Sequence, residues 1–203
     1  MVYTSSLRID ENEWNHVSVT INKTNNTVRF TKDNTQEEFN DLDLSSLSNN
    51  DSNVFIGHCD TTFSYFKGDI DNVSIYNTAI DKVKLEIKDS TFPILNLKSV
   101  SGMVTDLSGF SSTSTSHHIE NTENQKEYAD SAFLFNGTSS KIVVDNIDYD
   151  GYTNKNVTFS TWVNPSMNDF SGVSTNMPIL CKDLISGNCE FGLTSDGKIY
   201  LKV

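Results

Sequence analysis

Phe66-Lys67-Gly68-Asp69-Ile70-Asp71-Asn72-Val73-Ser74-Ile75-Tyr76 is the stretch whose reading decides the fold. Ile70, Val73 and Ile75 are β-branched and set apart by polar residues, as expected of a strand with one face buried. Asn77-Thr78 follows as a turn pair. Gly68 permits a bend or bulge at the strand entry. Asp69 and Asp71 flank that entry, and a carboxylate set in an apolar strand needs a partner, either hydrogen-bond donors or a cation.

Outward from this strand, the chain repeats the same grammar. Trp14, Val17, Val19 and Ile21 fall mostly on one face, Asn22–Asn26 turns, and Thr27–Thr31 returns, so a hairpin is expected. His16 lies inside that alternation and reads as a packed, hydrogen-bonded histidine rather than a catalytic one. Val54–Gly57 is a short buried strand. Ile80, Val83 and Ile87 stand at helical spacing behind Asn77 or Thr78 as cap, which predicts one short helix over 78–87. Further strands are expected at Phe92–Leu97, Ala132–Gly137, Lys141–Val144, Val157–Pro165, Met177–Leu184, Glu190–Leu193 and Lys198–Val203. Residues 111–126 read as a polar loop, and Asp196-Gly197 as a type I′ hairpin turn. The expected core is Trp14, Val17, Val19, Phe55, Ile70, Val73, Ile75, Phe133, Phe135, Phe159 and Val163.

Composition narrows the partners. The 203 residues carry 27 acidic and 15 basic side chains, a formal net charge of -12, with no basic cluster. A phosphate-backbone partner is therefore not expected. No apolar run approaches bilayer-spanning length, so membrane insertion is not expected either, and Met1–Ile9 shows no apolar signal core. Of the three cysteines, Cys181 and Cys189 bracket a loop with a Gly-Asn turn, where either a cross-hairpin disulfide or two half-buried thiols would fit. Cys59 follows His58 at a strand end, and this spacing does not make a zinc site.

These motifs resemble a known family. Phe66–Tyr76 is similar to the last strand of laminin-G-like domains of the concanavalin A-like lectin/glucanase superfamily, roughly F-x-G-x-I-D-x-V-x-I-Y-N. Trp14–Val17 resembles that family's W-x-H-V hairpin, Val54–Gly57 its I-x-I-G element, and the helix at 78–87 the one after its last strand. Asp106–Gly109, Ala132–Gly137 and Phe159–Pro165 resemble elements of its opening half. Residues 1–88 thus match the closing half and residues 89–203 the opening half, in reversed order. Either the chain is a window on a tandem array, or it folds as one circularly permuted domain over 1–203. In both cases the halves are expected to pack together, because neither alone covers its apolar face. The resemblance implies an all-β, antiparallel two-sheet sandwich of jelly-roll type. It also implies a structural calcium held by the Asp71 carboxylate and the Gly137 carbonyl. A salt bridge or backbone amides competes as the partner of Asp71.

The same resemblance implies a non-catalytic recognition module for glycan or protein at a cell or particle surface, within a larger multi-domain chain. A passive structural or adhesion segment is the alternative. A glycoside hydrolase would need two carboxylates across one bond, and no strand here shows an E-x-D-x-E arrangement. Asn146–Asn154 looks like the opening of an EF-hand loop, but Val157 stands where the bidentate Glu belongs. Tyr65, Tyr149 and Tyr152 are candidate sugar-stacking aromatics, with packing between loops as the competing role.

Overall fold

A computed structural model describes residues 1–45, 52–59, 64–80, 92–110, 112–145, 147, 156–166, 176–184 and 187–203, the side chains of 183, 184, 187 and 188 excepted. In chain order the strands are β1 (Val2–Arg8), β2 (Asn15–Asn22), β3 (Thr27–Lys32), β4 (Thr35–Phe39), β5 (Val54–Ile56), β6 (His58–Cys59), β7 (Ser64–Tyr65), β8 (Lys67–Tyr76) and β9 (Leu95–Val100). They continue as β10 (Met103–Asp106), β11 (Thr113–His117), β12 (Glu120–Thr122), β13 (Ala132–Asn136), β14 (Lys141–Asp145), β15 (Asn156–Pro165), β16 (Met177–Leu184), β17 (Gly187–Leu193) and β18 (Lys198–Lys202). Among the described residues there is no helix. The fold is an antiparallel jelly-roll sandwich.

One sheet has seven strands in the order β1-β18-β17-β16-β5-β14-β11. The other has nine, β10-β9-β8-β15-β2-β3-β4, with β13 and β12 continuing from β8. β8 is the spine of the larger sheet. It pairs with β15 along one edge, and with β9 (Val73↔Leu97) and β13 (Ile70↔Phe133) end to end along the other. Ile70, Val73 and Ile75 are buried against the opposite sheet, as their spacing requires. The two polar residues between Ile70 and Val73 are accommodated by a bulge: Asn72 takes φ 54° and the register to β15 slips between Ser160 and Trp162. Each fully buried aliphatic or Phe side chain contributes about 1.5–3 kcal/mol, and Phe30, Phe66, Phe133, Phe135, Phe191, Ile70 and Ile75 are all in that state.

Glycine is required at Gly57, where φ is +75° and a Cβ would lie 2.2 Å from the Phe135 ring. This close approach lets the chain turn from β5 to β6 over the core.

Strands from before residue 80 and after residue 92 alternate within both sheets. β5 lies between β16 and β14, and β15 lies between β8 and β2. Val203 donates its backbone N–H to Met1 O at 2.8 Å, and Val2 pairs with Lys202.

Four sequence expectations are corrected. Trp14 precedes β2 and is half-buried rather than core. Asn15 starts the strand, its amide tied to the carbonyls of Asp10 (2.9 Å) and Glu13 (2.7 Å). Residues 111–126 are not simply loop, since β11 and β12 form there from polar residues. Asp196-Gly197 is not a type I′ turn, which needs positive φ at both positions. Only Gly197 has it, at φ 78°. Finally, the disulfide joins Cys59 to Cys181, with Cα atoms 5.3 Å apart, and Cys189 is a free thiol buried in the main core. The expected helix falls on residues 78–80, which are bend and coil, and on 81–87, which lie outside the described residues.

Candidate functional site

The outward face of the nine-stranded sheet carries most of the chemistry. The sequence folds this way because β8, β13 and β15 each place large apolar groups inward, which leaves the alternate residues pointing out. Cross-strand register then sets these residues in rows. One row runs Glu120–Leu134–Asp69–Asn164, and the next along the strands holds Asn136 beside Lys67. A third row runs His16–Trp162–Asp71.

A cleft of about 340 Å³ opens over Glu120 and Leu134 of the first row and Lys67 and Asn136 of the second, with His118 and Ser166 also in its lining. Ser166 is set there by its backbone N–H, which donates to Lys67 O at 3.1 Å. His118 holds φ 50°, and its carbonyl accepts the Ser140 hydroxyl at 2.6 Å. Asn136 Oδ1 accepts the backbone N–H groups of Thr138, Ser139 and Ser140, so this side chain builds the rim turn. Asp69 accepts Asn164 Nδ2 at 3.0 Å, and burial raises its pKa above the ordinary carboxylate value. Because Nδ2 is spent on that carboxylate, the opposite atom, Asn164 Oδ1, is buried with no partner.

The third row is drier. His16 Nε2 meets Ser160 Oγ at 2.9 Å and its ring packs edge-on to Trp162, with centroids 5.2 Å apart. Its Nδ1 and the neighbouring Ser18 Oγ are buried without partners. Burial lowers the His16 pKa below its usual value, against a smaller opposing pull from Asp33. A histidine that takes its proton less readily folded than unfolded stabilises the fold above the unfolded value of about 6.5, and that stability is lost as pH falls through the lower native value. We expect the urea midpoint of the wild type to drop between about pH 7 and pH 5.5, and His16→Gln to lose most of that drop. Asp69 and Asp71, whose pKa values are raised, act in the opposite sense at lower pH. Equal pH slopes for wild type and variant would show that His16 does not titrate with folding.

Asp71 and Gly137 are not brought together. Asp71 lies four residues along β8 from Lys67, and Gly137 abuts Lys67, whose Cβ would be 2.9 Å from an added Cβ there. At about 3.3 Å per residue the two positions are about 13 Å apart. Asp71 is buried, which raises its pKa; its carboxylate takes the Asn72 backbone N–H and is drawn by Lys98 and Lys126. Two ammonium groups and an amide donor do not suit a calcium ligand, so these residues do not fit a shared calcium site. Among the described residues no group of three or more His, Cys, Asp or Glu is placed to hold a metal. The EF-hand-like loop falls almost wholly on 146 and 148–155, outside the described residues, as do Tyr149 and Tyr152. Tyr65 is described and stacks on His58 with centroids 4.1 Å apart.

Sequence reasoning missed the cleft. Its only local signal was the Asn136–Ser140 turn, and the pairing of β12 on β13 that completes it has no sequence signature. No helix among the described residues is long and apolar enough to cross a membrane. No curated protein and no solved structure matches the chain. A laminin G family model, described as the concanavalin A-like lectin/glucanases superfamily, matches residues 2–84. That segment runs from β1 past the end of β8 and contains the hairpin, the β5 element and the spine strand on which the sequence resemblance rests. Residues 2–84 are thus similar to the laminin G model of the concanavalin A-like lectin/glucanases superfamily, in keeping with the jelly-roll sandwich that these strands build with those that follow.

Proposed function

We propose that this module is a non-catalytic recognition domain that binds a glycan or protein ligand on the outward face of the nine-stranded sheet. The observation that carries this reading is the cleft of about 340 Å³, whose volume is within the range of small-ligand sites. Among the described residues, no hydrogen bond or ion pair engages the Lys67 ammonium, the Glu120 carboxylate or the Ser166 hydroxyl. An apolar floor with unengaged polar groups around it suits binding. The Cys59–Cys181 disulfide fits an oxidising compartment, which supports an extracellular, cell-surface or particle-surface setting within a larger chain.

A glycoside hydrolase is the competing reading. Asp69 and Glu120 stand on strands either side of β13, about 10 Å apart at the backbone, and such enzymes use carboxyl pairs at comparable separations. The Asp69 carboxylate is already engaged by Asn164, however, which favours binding over proton transfer. Glycan and protein arrays probed with the purified module test the reading, with polysaccharide turnover measured alongside. Binding lost in Glu120→Gln without any turnover is expected. Turnover abolished by Asp69→Asn would establish the enzyme instead, and blank arrays would remove the recognition role.

A further inference from the structure

The two rows that the cleft spans present opposite charges to it, Glu120 in one and Lys67 in the other. Glu120 and Asp69 flank Leu134, and the next residue in that row, Asn164, adds an unpartnered buried Oδ1. Of this row, the cleft meets Leu134 and the Glu120 carboxylate, which only accepts. The row two residues further along carries Lys67, His118 and Ser166, which supply an ammonium, an imidazole and a hydroxyl. Two residues of strand separate the rows by about 7 Å. The floor between them is Leu134, with Ile119 beside it.

We infer that the cleft binds a short zwitterion, its ammonium over Leu134 against Glu120 and its carboxylate toward Lys67 and Ser166. The inference rests on the recognition reading and specifies its ligand class. An ammonium donates only and a carboxylate accepts only, so the first is drawn to Glu120 and repelled by Lys67, and the second the reverse. A neutral ligand would gain no charge pairing from Glu120 or Lys67. A polyanion would meet the Glu120 carboxylate and a chain of net charge -12. The apolar floor accommodates the methylenes joining the two charges.

Titration of the amide NMR spectrum with γ-aminobutyrate tests this, beside its N-acetyl form, which lacks the ammonium, and its methyl ester, which lacks the carboxylate. Saturable shifts at Leu134, Asn136 and Lys67 are expected, with each capped form binding about tenfold more weakly. Glu120→Gln should abolish the preference over the N-acetyl form, and Lys67→Met the preference over the ester. Both side chains are exposed, and unchanged thermal melts would confirm that the variants fold. Equal binding of the capped forms, variants that change neither preference, or no saturable shifts overturns the assignment. Array binding by a glycan or protein without zwitterion binding overturns it while leaving the recognition reading intact. Zwitterion binding with blank arrays supports the cleft and removes the broader reading.

Discussion

Cut within the connection between β8 and β9, the fragments 1–88 and 89–203 should each be unfolded alone and regain a single cooperative melt on mixing. The reason is the interleaving of strands. β8 in the first fragment has β15 on one edge and β9 and β13 on the other, all from the second. β5 is hydrogen-bonded only to β14 and β16 of the second fragment. Alone, the first fragment would expose both edges of β8 and the whole inner face of Ile70, Val73 and Ile75. Such a fragment lacks the burial needed to offset chain entropy.

The complementary expectation is that the chain tolerates a new order. Val2 pairs with Lys202 and the Val203 N–H reaches Met1 O, so a turn of about two to four residues can join 203 to 1 as a hairpin. A permutant running 89–203, then the turn, then 1–88 should melt within a few degrees of the parent and form the same disulfide. This restores the order in which the family's motifs ordinarily read, and we propose that the 1–203 unit is such a permuted sandwich. A cooperative melt from 1–88 by itself, or a permutant that fails to fold, would show that the halves are independent modules instead.

Much of this architecture was legible because burial on one face imposes period two. Val17, Val19, Phe55, Ile70, Val73, Ile75, Phe133, Phe135, Phe159 and Val163 are buried as their alternation demands. Trp14 misled because it belongs to the turn, where side-chain bonds of Asn15 fix the chain and no strand period applies. β11 and β12 escaped notice because their side chains are polar and largely exposed, so no apolar period marks the ladder to β14 and β13. The cleft was hidden for the same reason. Its parts come from strands far apart in sequence, and only register brings Glu120 beside Leu134 and Lys67 beside Asn136. The calcium expectation was a matter of register too: a resemblance names residues, but the β8–β13 pairing puts Gly137 by Lys67 and not by Asp71.

Loss of the Cys59–Cys181 disulfide should lower stability by about 4–5 kcal/mol, the chain-entropy value for closing a loop this long. The bridge spans 122 residues and ties the β6–β7 hairpin to β16, with Phe55 and Val143 packed beside it. It also links the two fragments described above, so its removal frees them to separate when the chain is opened. For a domain of this size the change corresponds to a fall in Tm of about 8–20 °C. The expected result is that Cys59→Ser/Cys181→Ser and the reduced wild type melt at the same depressed temperature. Cys189 is the control. Register pairs Cys181 with Glu190 and Lys182 with Cys189, so Cys181 and Cys189 point to opposite faces of the sheet, and a shift of one residue would be needed to join them. Cys189 faces the core, and burial pushes its thiol up to about 12, which makes it inert to exchange at neutral pH. Alkylation of the native protein should therefore spare Cys189, and peptide mapping without reductant should recover residues 59 and 181 in one linked fragment. A linked Cys181–Cys189 peptide, or a reduced protein with an unchanged Tm, would refute the bridge as the tie between the two halves.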